Sequence, residues 1–436
     1  MIIFFTVALL IVLLVIGVAV PACFGAAFLI FALGIGEDLN TLINVGYRQV
    51  NTVVLLSIPM FILAGGIIEK GKLGKALTDF IEIFVGRMKG GLGVATVVAS
   101  AVFGAISGSA SATLSCIGGI MAPKLKESHY NKGLYAALIA NSAPLGLLIP
   151  PSSIQIMYAW VTGQSVLACF LATVIPGIIL VILLSAVNIF YCSRDPEFLE
   201  YNAKMLEAAA SQQKVSIGRR TFTALPALLF PVIVLGGIYA GIMTPTEAAA
   251  VSVVYAIPVG FFIYKGLTMK DFKDSLKNAG TTSGVVMLML FMIMILSRLF
   301  VLEDLPNKMA DVLMGISDNK IVLLLMINVF MVIIGMLMDD SSGCLLCAPV
   351  LLPLIMGLGV SPVQFAAILG VNLGMGNITP PTAPLLYLGS RTTGVPVKYM
   401  LKPTLAMIVF AWLPTLIVTT YIPQISLFLP SLFGYV

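Results

Sequence analysis

Two apolar stretches of this chain are broken by the same kind of polar sequence, in the same order, about 230 residues apart. From Gly335 the chain reads GMLMDDSSGCLLCAPVLLPLIMGLGVSPVQFAAILGVNLGMGNITPPT, with one break at Asp339–Gly343 and a second at Gly376–Thr382. From Gly104 it reads GAISGSASATLSCIGGIMAPKLKESHYNKGLYAALIANSAPLGLLIPPSS. An offset of 230 lays Pro150-Pro151 over Pro380-Pro381 and Pro123 over Pro353. An offset of 231 lays Gly104 over Gly335, Asn141 over Asn372 and Thr162-Gly163 over Thr393-Gly394. One such pair of small residues means little, but five landmarks in one order mean an internal repeat. Hydrocarbon holds no water to satisfy a broken backbone, so such breaks survive at membrane depth only where protein or a wet cavity supplies partners. Paired, interrupted apolar segments in two halves of a chain point to the binding site of a transporter.

The membrane setting follows from composition. Of 436 residues, 59% are hydrophobic and 10% charged, against roughly 25% charged in soluble chains. This is an all-α polytopic membrane protein with no sign of a soluble domain. The six cysteines, Cys23, Cys116, Cys169, Cys192, Cys344 and Cys347, lie in or beside apolar runs. They are expected to be free packing residues. Cys344-x-x-Cys347 also fits a redox or metal pair, but no histidine or charged helper flanks it. His129, the only histidine, lies in a basic loop. The first apolar run has no preceding Lys or Arg and no clean cleavage site, so it reads as a retained helix.

In order, residues 2–36 hold two helices, 37–51 lie at the interface, and 52–69 span. A basic connector runs to Lys89. Residues 91–106 lead into a hairpin tip at 107–111. The returning arm, 112–123, is about 18 Å of helix against a ~30 Å core, too short to cross, so the pair reads as a re-entrant hairpin. Residues 133–162 form a helix broken at Pro150-Pro151, and 165–192 span. The first repeat is therefore 1–192, and a charged linker covers 193–221. The second repeat is 222–436. It has spans at 222–240, 245–264 and 281–302, with a basic amphipathic stretch at 265–280. An acidic connector precedes a hairpin with its tip at 339–343. A broken helix at 362–390 and a last span at 400–422 complete it.

Each half then has an odd number of crossings, so the repeats are inverted. Lys and Arg test this. With the linker in the cytoplasm, twenty of the 24 fall on the cytoplasmic side. Arg48, Lys308 and Lys320 fall opposite, and Arg298 falls inside a span. This is a strong positive-inside bias, and it places both termini outside. The two hairpins enter from opposite faces, so their tips meet near mid-depth. Carbonyls, hydroxyls and amides at such breaks suit a small hard cation, and half-helix N-termini suit anions. Asp339 and Asp340 add carboxylate oxygens, which makes sodium the natural ion. The serines could instead be helix-packing residues, and the two aspartates could cap a helix in water. Arg298 in FMIMILSRLF has two readings. It is a mid-span functional charge, or a residue near a helix end, five before Glu303, that reaches the interface.

The runs GIMTPTEAAAVSVVYAI at 241–257, SIPMFILAGGIIEKG at 57–71, GAISGSASA at 104–112 and NITPPTAP at 377–384 resemble those of the large membrane subunit of the TRAP (tripartite ATP-independent periplasmic) transporters. The resemblance covers the whole chain and is closer to the sialic-acid branch than to the dicarboxylate branch. It implies an elevator-type fold and sodium-driven uptake of an organic acid across a bacterial inner membrane. It also implies a soluble periplasmic binding protein and a small four-helix membrane subunit. Because the sequence starts at the large-subunit region, that subunit is expected as a separate chain. Two sodium sites are implied. The first uses Ser107, Gly108, Ser109, Asn141 and Pro150. The second uses Asp339, Ser341, Ser342, Asn372, Gly376, Asn377, Thr379 and Pro380. Substrate-facing candidates are Ser111, Ser152, Ser153, Arg298, Asp340 and Thr382.

Two other classes compete. One is a self-sufficient sodium/carboxylate symporter that needs no binding protein. The other is an intramembrane enzyme using DDSSG to bind a magnesium–diphosphate substrate. DDSSG lacks further spaced carboxylates, the chain has no HExxH, and catalysis would leave the repeat unexplained.

Overall fold

The computed structural model describes residues 2–86, 88–201, 217–305, 308, 315, 317 and 319–436. Residues 202–216 of the expected linker, and much of the acidic connector before Lys320, lie outside the described residues. Among the described residues there is no strand, and eight helices are long and apolar enough to cross a membrane.

The first half contains α1 (Ile2–Ile16), α2 (Val20–Ile35), α3 (Leu39–Val50) and α4 (Ser57–Lys70), which a single 3-10 turn precedes. After these come α5 (Leu73–Val85), α6 (Gly91–Ser107) and α7 (Ala110–Glu127). The broken helix is α8 (Lys132–Ser142), α9 (Leu145–Leu148) and α10 (Ser153–Thr162), bent by 41°. The half ends with α11 (Val166–Ser193). The second half contains α12 (Ile217–Tyr239), α13 (Pro245–Pro258) and α14 (Met269–Leu302). It continues with α15 (Lys320–Leu337), α16 (Asp340–Gly357), α17 (Pro362–Gly376) and α18 (Pro384–Thr393). It closes with α19 (Val397–Met407), α20 (Leu413–Tyr421) and α21 (Pro423–Leu432).

Several elements differ from the sequence reading. The connector after Lys70 is itself a helix, α5, tied to α7 where the Lys124 ammonium meets Asp79 at 2.8 Å and Glu82 at 2.6 Å. The returning arm of the first hairpin does not stop at Pro123; α7 runs 18 residues through it. The second arm, α16, also runs 18 residues, through Pro349 and Pro353. A proline inside a helix removes one N–H and need not end it when neighbouring helices re-satisfy the freed carbonyl. Arm length therefore does not separate a hairpin from a crossing. Residues 265–280 and 281–302 are not two elements but the 34-residue α14, because Gly280 and Gly284 sit singly in a good helical run. Helix α21 follows the expected last span.

The repeat is visible in the packing. The returning arm of each hairpin packs on the second half-helix of the other repeat: α7 on α18, and α16 on α10. Likewise α8 packs on α19, and α17 on α11. Within each repeat the outgoing arm crosses the broken helix at a pair of glycines. A Cβ on Gly104 would come 2.5 Å from the Gly146 Cα, and one on Gly335 would come 3.1 Å from the Gly376 Cα. Only small residues let transmembrane helices approach so closely. Gly163 and Gly394 close the two second half-helices with matching left-handed φ of 69° and 71°. Polar ties join the repeats: Tyr158 Oη donates to Pro362 O at 2.6 Å, and Gln155 Nε2 to Ala366 O at 3.2 Å. A second body, formed by α2, α3, α4, α13 and α14, packs against this paired core and leaves a cavity between them.

Candidate substrate and ion cavity

The cavity encloses about 660 Å³. Helix α4 faces it with Ile58, Ile62, Gly65, Gly66 and Glu69. Helix α14 faces it with Asn278, Thr282, Val285, Val286 and Met289. Both sets repeat at the spacing of one helical face. The opposite wall is made by the two hairpin tips. Ser107, Ser109 and Ser111 come from one, Asp339, Asp340, Ser341 and Ser342 from the other, and Ser153 joins them. Sequence segments 230 residues apart thus meet in one chamber. Both tips lining one cavity is what two re-entrant hairpins entering from opposite faces would give.

Each tip is a helix N-terminus held by a side chain. Ser109 caps α7, its hydroxyl accepting from Ala112 N at 3.5 Å and lying 3.1 Å from the Ser111 hydroxyl. The Ser107 hydroxyl lies 3.2 Å from Thr113 Oγ1. Gly108 turns the chain at φ +59°, and a Cβ there would come 2.9 Å from Pro151 O. Its carbonyl accepts from Ser153 Oγ at 3.0 Å, which ties the first tip to the Pro150-Pro151 break. Asp339 caps α16, accepting from Ser341 N at 3.1 Å and Ser342 N at 3.4 Å, and also from the Ser342 hydroxyl. The Ser342 hydroxyl lies 3.0 Å from Met289 Sδ on the opposite wall. The second break is tied to its own tip region, since Thr382 Oγ1 donates to Met336 O. With its amide oriented to satisfy both groups, Asn377 donates to Gly335 O at 3.1 Å and Met338 O at 3.3 Å.

The remaining predicted site residues fall elsewhere. Asn141 and Asn372 are fully buried at matched positions, and neither lines the cavity. Each donates to the carbonyl four residues back, Ala137 O and Ile368 O, both at 2.8 Å. Asn141 also donates to Thr404 Oγ1, and Asn372 to Asn328 Oδ1. In both, Oδ1 has no partner, nor has the buried Ser152 hydroxyl. Thr379 Oγ1 donates back to Met375 O, and Gly376 packs on Gly335. Pro150 and Pro380 mark the breaks without facing the cavity. Arg298, expected among the substrate-facing residues, is exposed on α14 and outside the cavity lining. Its place in the sequence was equally compatible with a buried anchor, because only the rotation of α14 decides which face looks inward.

Sequence reasoning missed the α4 and α14 wall. Glu69 stood at the end of a span and Asn278 at the end of an apparent amphipathic segment, so neither signalled a cavity. Among the described residues, the cavity lining includes no Lys, Arg or His, while Glu69, Asp339 and Asp340 all face it. Its polar end, Glu69, Asn278 and Thr282, is next in sequence to Lys70 and Lys277. That is the lysine-rich end of the molecule. Cys344 and Cys347 are free and buried, and among the described residues no group of three or more His, Cys, Asp and Glu is placed to hold a metal ion.

Paired hairpins, paired broken helices and a polar chamber between two helical bodies define a multi-pass membrane permease. The chain belongs to the DctM component family of the tripartite ATP-independent periplasmic transporters, whose family model matches residues 7–425. It is 33% identical over 401 residues to the sialic acid TRAP transporter large permease protein SiaM of Vibrio cholerae, covering 91% of this chain and 92% of that one. It is 32% identical over 419 residues to the isethionate TRAP transporter permease protein DctMQ of Oleidesulfovibrio alaskensis, covering 95% of this chain. The match spans 64% of that longer relative. In fold it is similar to the Alcanivorax borkumensis YdaH transporter, described as having an unusual topology, with a TM-score of 0.57 at 15% identity over 87% of each chain. These relatives are transporter permeases, not enzymes.

Proposed function

We propose that this chain is the large permease of a sodium-coupled uptake system for an organic acid in a bacterial inner membrane, with both termini periplasmic. A periplasmic binding protein delivers the acid, and a small four-helix membrane subunit completes the complex. The observation that carries this reading is the shared cavity: hydroxyls from both tips and the two carboxylates of the second tip face it, and among the described residues no basic side chain does. An organic anion entering such a chamber needs a cation with it, and the tips offer hard oxygens of the kind sodium prefers. The unpartnered Oδ1 atoms of Asn141 and Asn372 support the ion, because buried acceptors are ordinarily paired. The two-body packing supports an elevator, in which the hairpins and broken helices travel against the α2, α4 and α14 wall. Relatives of nearly equal identity are named for sialic acid and for isethionate, so similarity does not favour the sialic-acid branch.

The test is uptake in proteoliposomes that contain the permease and its small subunit, with binding protein outside. Uptake of labelled sialic acid, succinate or isethionate should rise sigmoidally with sodium and vanish in potassium. Equal uptake driven by a proton gradient without sodium would overturn the ion assignment. Full uptake without binding protein would make the chain a self-sufficient symporter.

A further inference from the structure

Glu69 is a carboxylate that the ion and substrate sites above do not use. It lies at the end of α4 on the face that lines the cavity, one turn beyond Gly65. Gly65 marks the level of the first tip, since a Cβ there would come 3.2 Å from the Ser107 Cα and 3.3 Å from its carbonyl oxygen. Four residues of helix are about 6 Å, so Glu69 lies that far from the tip toward the lysine-rich end. Ser115 of α7 and Asn278 and Thr282 of α14 line the cavity with it. Among the described residues, Glu69 forms no ion pair or side-chain hydrogen bond, unlike Asp79 and Glu82 of the next helix, which share Lys124. Lys70, next in sequence, attracts it electrostatically but makes no ion pair with it, so no close contact holds this carboxylate at the cavity.

We propose that Glu69 is the release residue of the cytoplasmic exit, repelling the organic anion after it leaves the tips and weakening its rebinding from that side. This rests on the anion-uptake reading above. The repulsion acts only along the exit, so it lowers cytoplasmic affinity and leaves periplasmic affinity alone. It also acts through partly screened space, so salt weakens it.

The experiment measures half-saturation for the transported acid separately at each face of oriented proteoliposomes. The acid is labelled sialic acid, succinate or isethionate, whichever the wild type carries. Glu69→Gln should tighten the cytoplasmic value about three- to ten-fold, leave the periplasmic value unchanged, and lose most of the difference in 0.5 M choline chloride. Glu69→Asp, which keeps the charge, should stay near wild type. An active Glu69→Gln with unchanged cytoplasmic half-saturation, or with equal shifts at both faces, would overturn the proposal. So would a Glu69→Asp variant that behaves like Glu69→Gln. Wild type that carries none of the acids would overturn the uptake reading itself, and this assignment with it.

Discussion

At the scale of single residues, the two neighbouring aspartates have different duties. Asp339 spends its carboxylate on the cap of α16, accepting from two backbone amides and the Ser342 hydroxyl. Asp340, expected to face the substrate while Asp339 held sodium, sits in the first turn, half-buried and facing the same cavity, outside that cap, so it is the carboxylate left free for the ion. A carboxylate in contact with sodium is worth several kcal/mol before desolvation, even at an effective dielectric near 20, whereas asparagine caps a helix about as well as aspartate. Asp340→Asn should therefore raise the sodium needed for half-maximal uptake about tenfold or more. Asp339→Asn should raise it less than about threefold. Ser109→Ala, which removes a neutral hydroxyl, should fall short of Asp340→Asn. Sodium titrations of the three variants check this. Near wild-type half-saturation in Asp340→Asn would return the ion to backbone carbonyls and hydroxyls.

At the scale of elements, the glycine crossings hold the repeats together. A Cβ on Gly376 would come 2.6 Å from the Gly335 Cα and 2.8 Å from Val332 O, both backbone atoms that no rotamer change can clear. A Cβ on Gly119 of α7 would meet nothing within 4 Å. Gly376→Ala should destabilise the folded permease by about 1–3 kcal/mol, the usual cost of overpacking. Gly119→Ala should melt with the wild type. Thermal unfolding in detergent, followed by tryptophan fluorescence, separates them, and equal melting of the two variants would refute the close crossing.

At the scale of the whole molecule, the charge distribution predicts how the chain sits in the membrane. Ser193 is exposed at the end of α11 and Asn51 is exposed after α3; the lysine and arginine count puts the first on the cytoplasmic side and the second outside as an expectation. The six native cysteines are all buried, so background labelling should be low. In intact cells a membrane-impermeant thiol reagent should label Asn51→Cys and spare Ser193→Cys until the membrane is opened. Labelling of Ser193→Cys from outside would invert the topology, and with it the side to which Glu69 belongs.

The sequence by itself determined the membrane class, much of the helical plan, the repeat and the two tips. Each of these rests on local or periodic features: long apolar runs, clustered lysines, and breaks rich in Gly, Pro, Ser and Asp at one offset. The resemblance carried by runs such as GIMTPTEAAAVSVVYAI pointed to the family before any geometry was known. Arm length was misread at Pro123, because whether a proline ends a helix depends on the neighbours that re-satisfy the backbone. The tertiary structure decided which residues face one another. It turned Arg298 outward and Glu69, Asn278 and Thr282 inward, and it set Asp340 beside the cap that Asp339 makes. Those outcomes depend on the rotation of each helix about its axis and on contacts between segments far apart in the chain. An apolar membrane helix can be lined with hydrophobic side chains all round, so its sequence leaves that rotation open until its partners are in place.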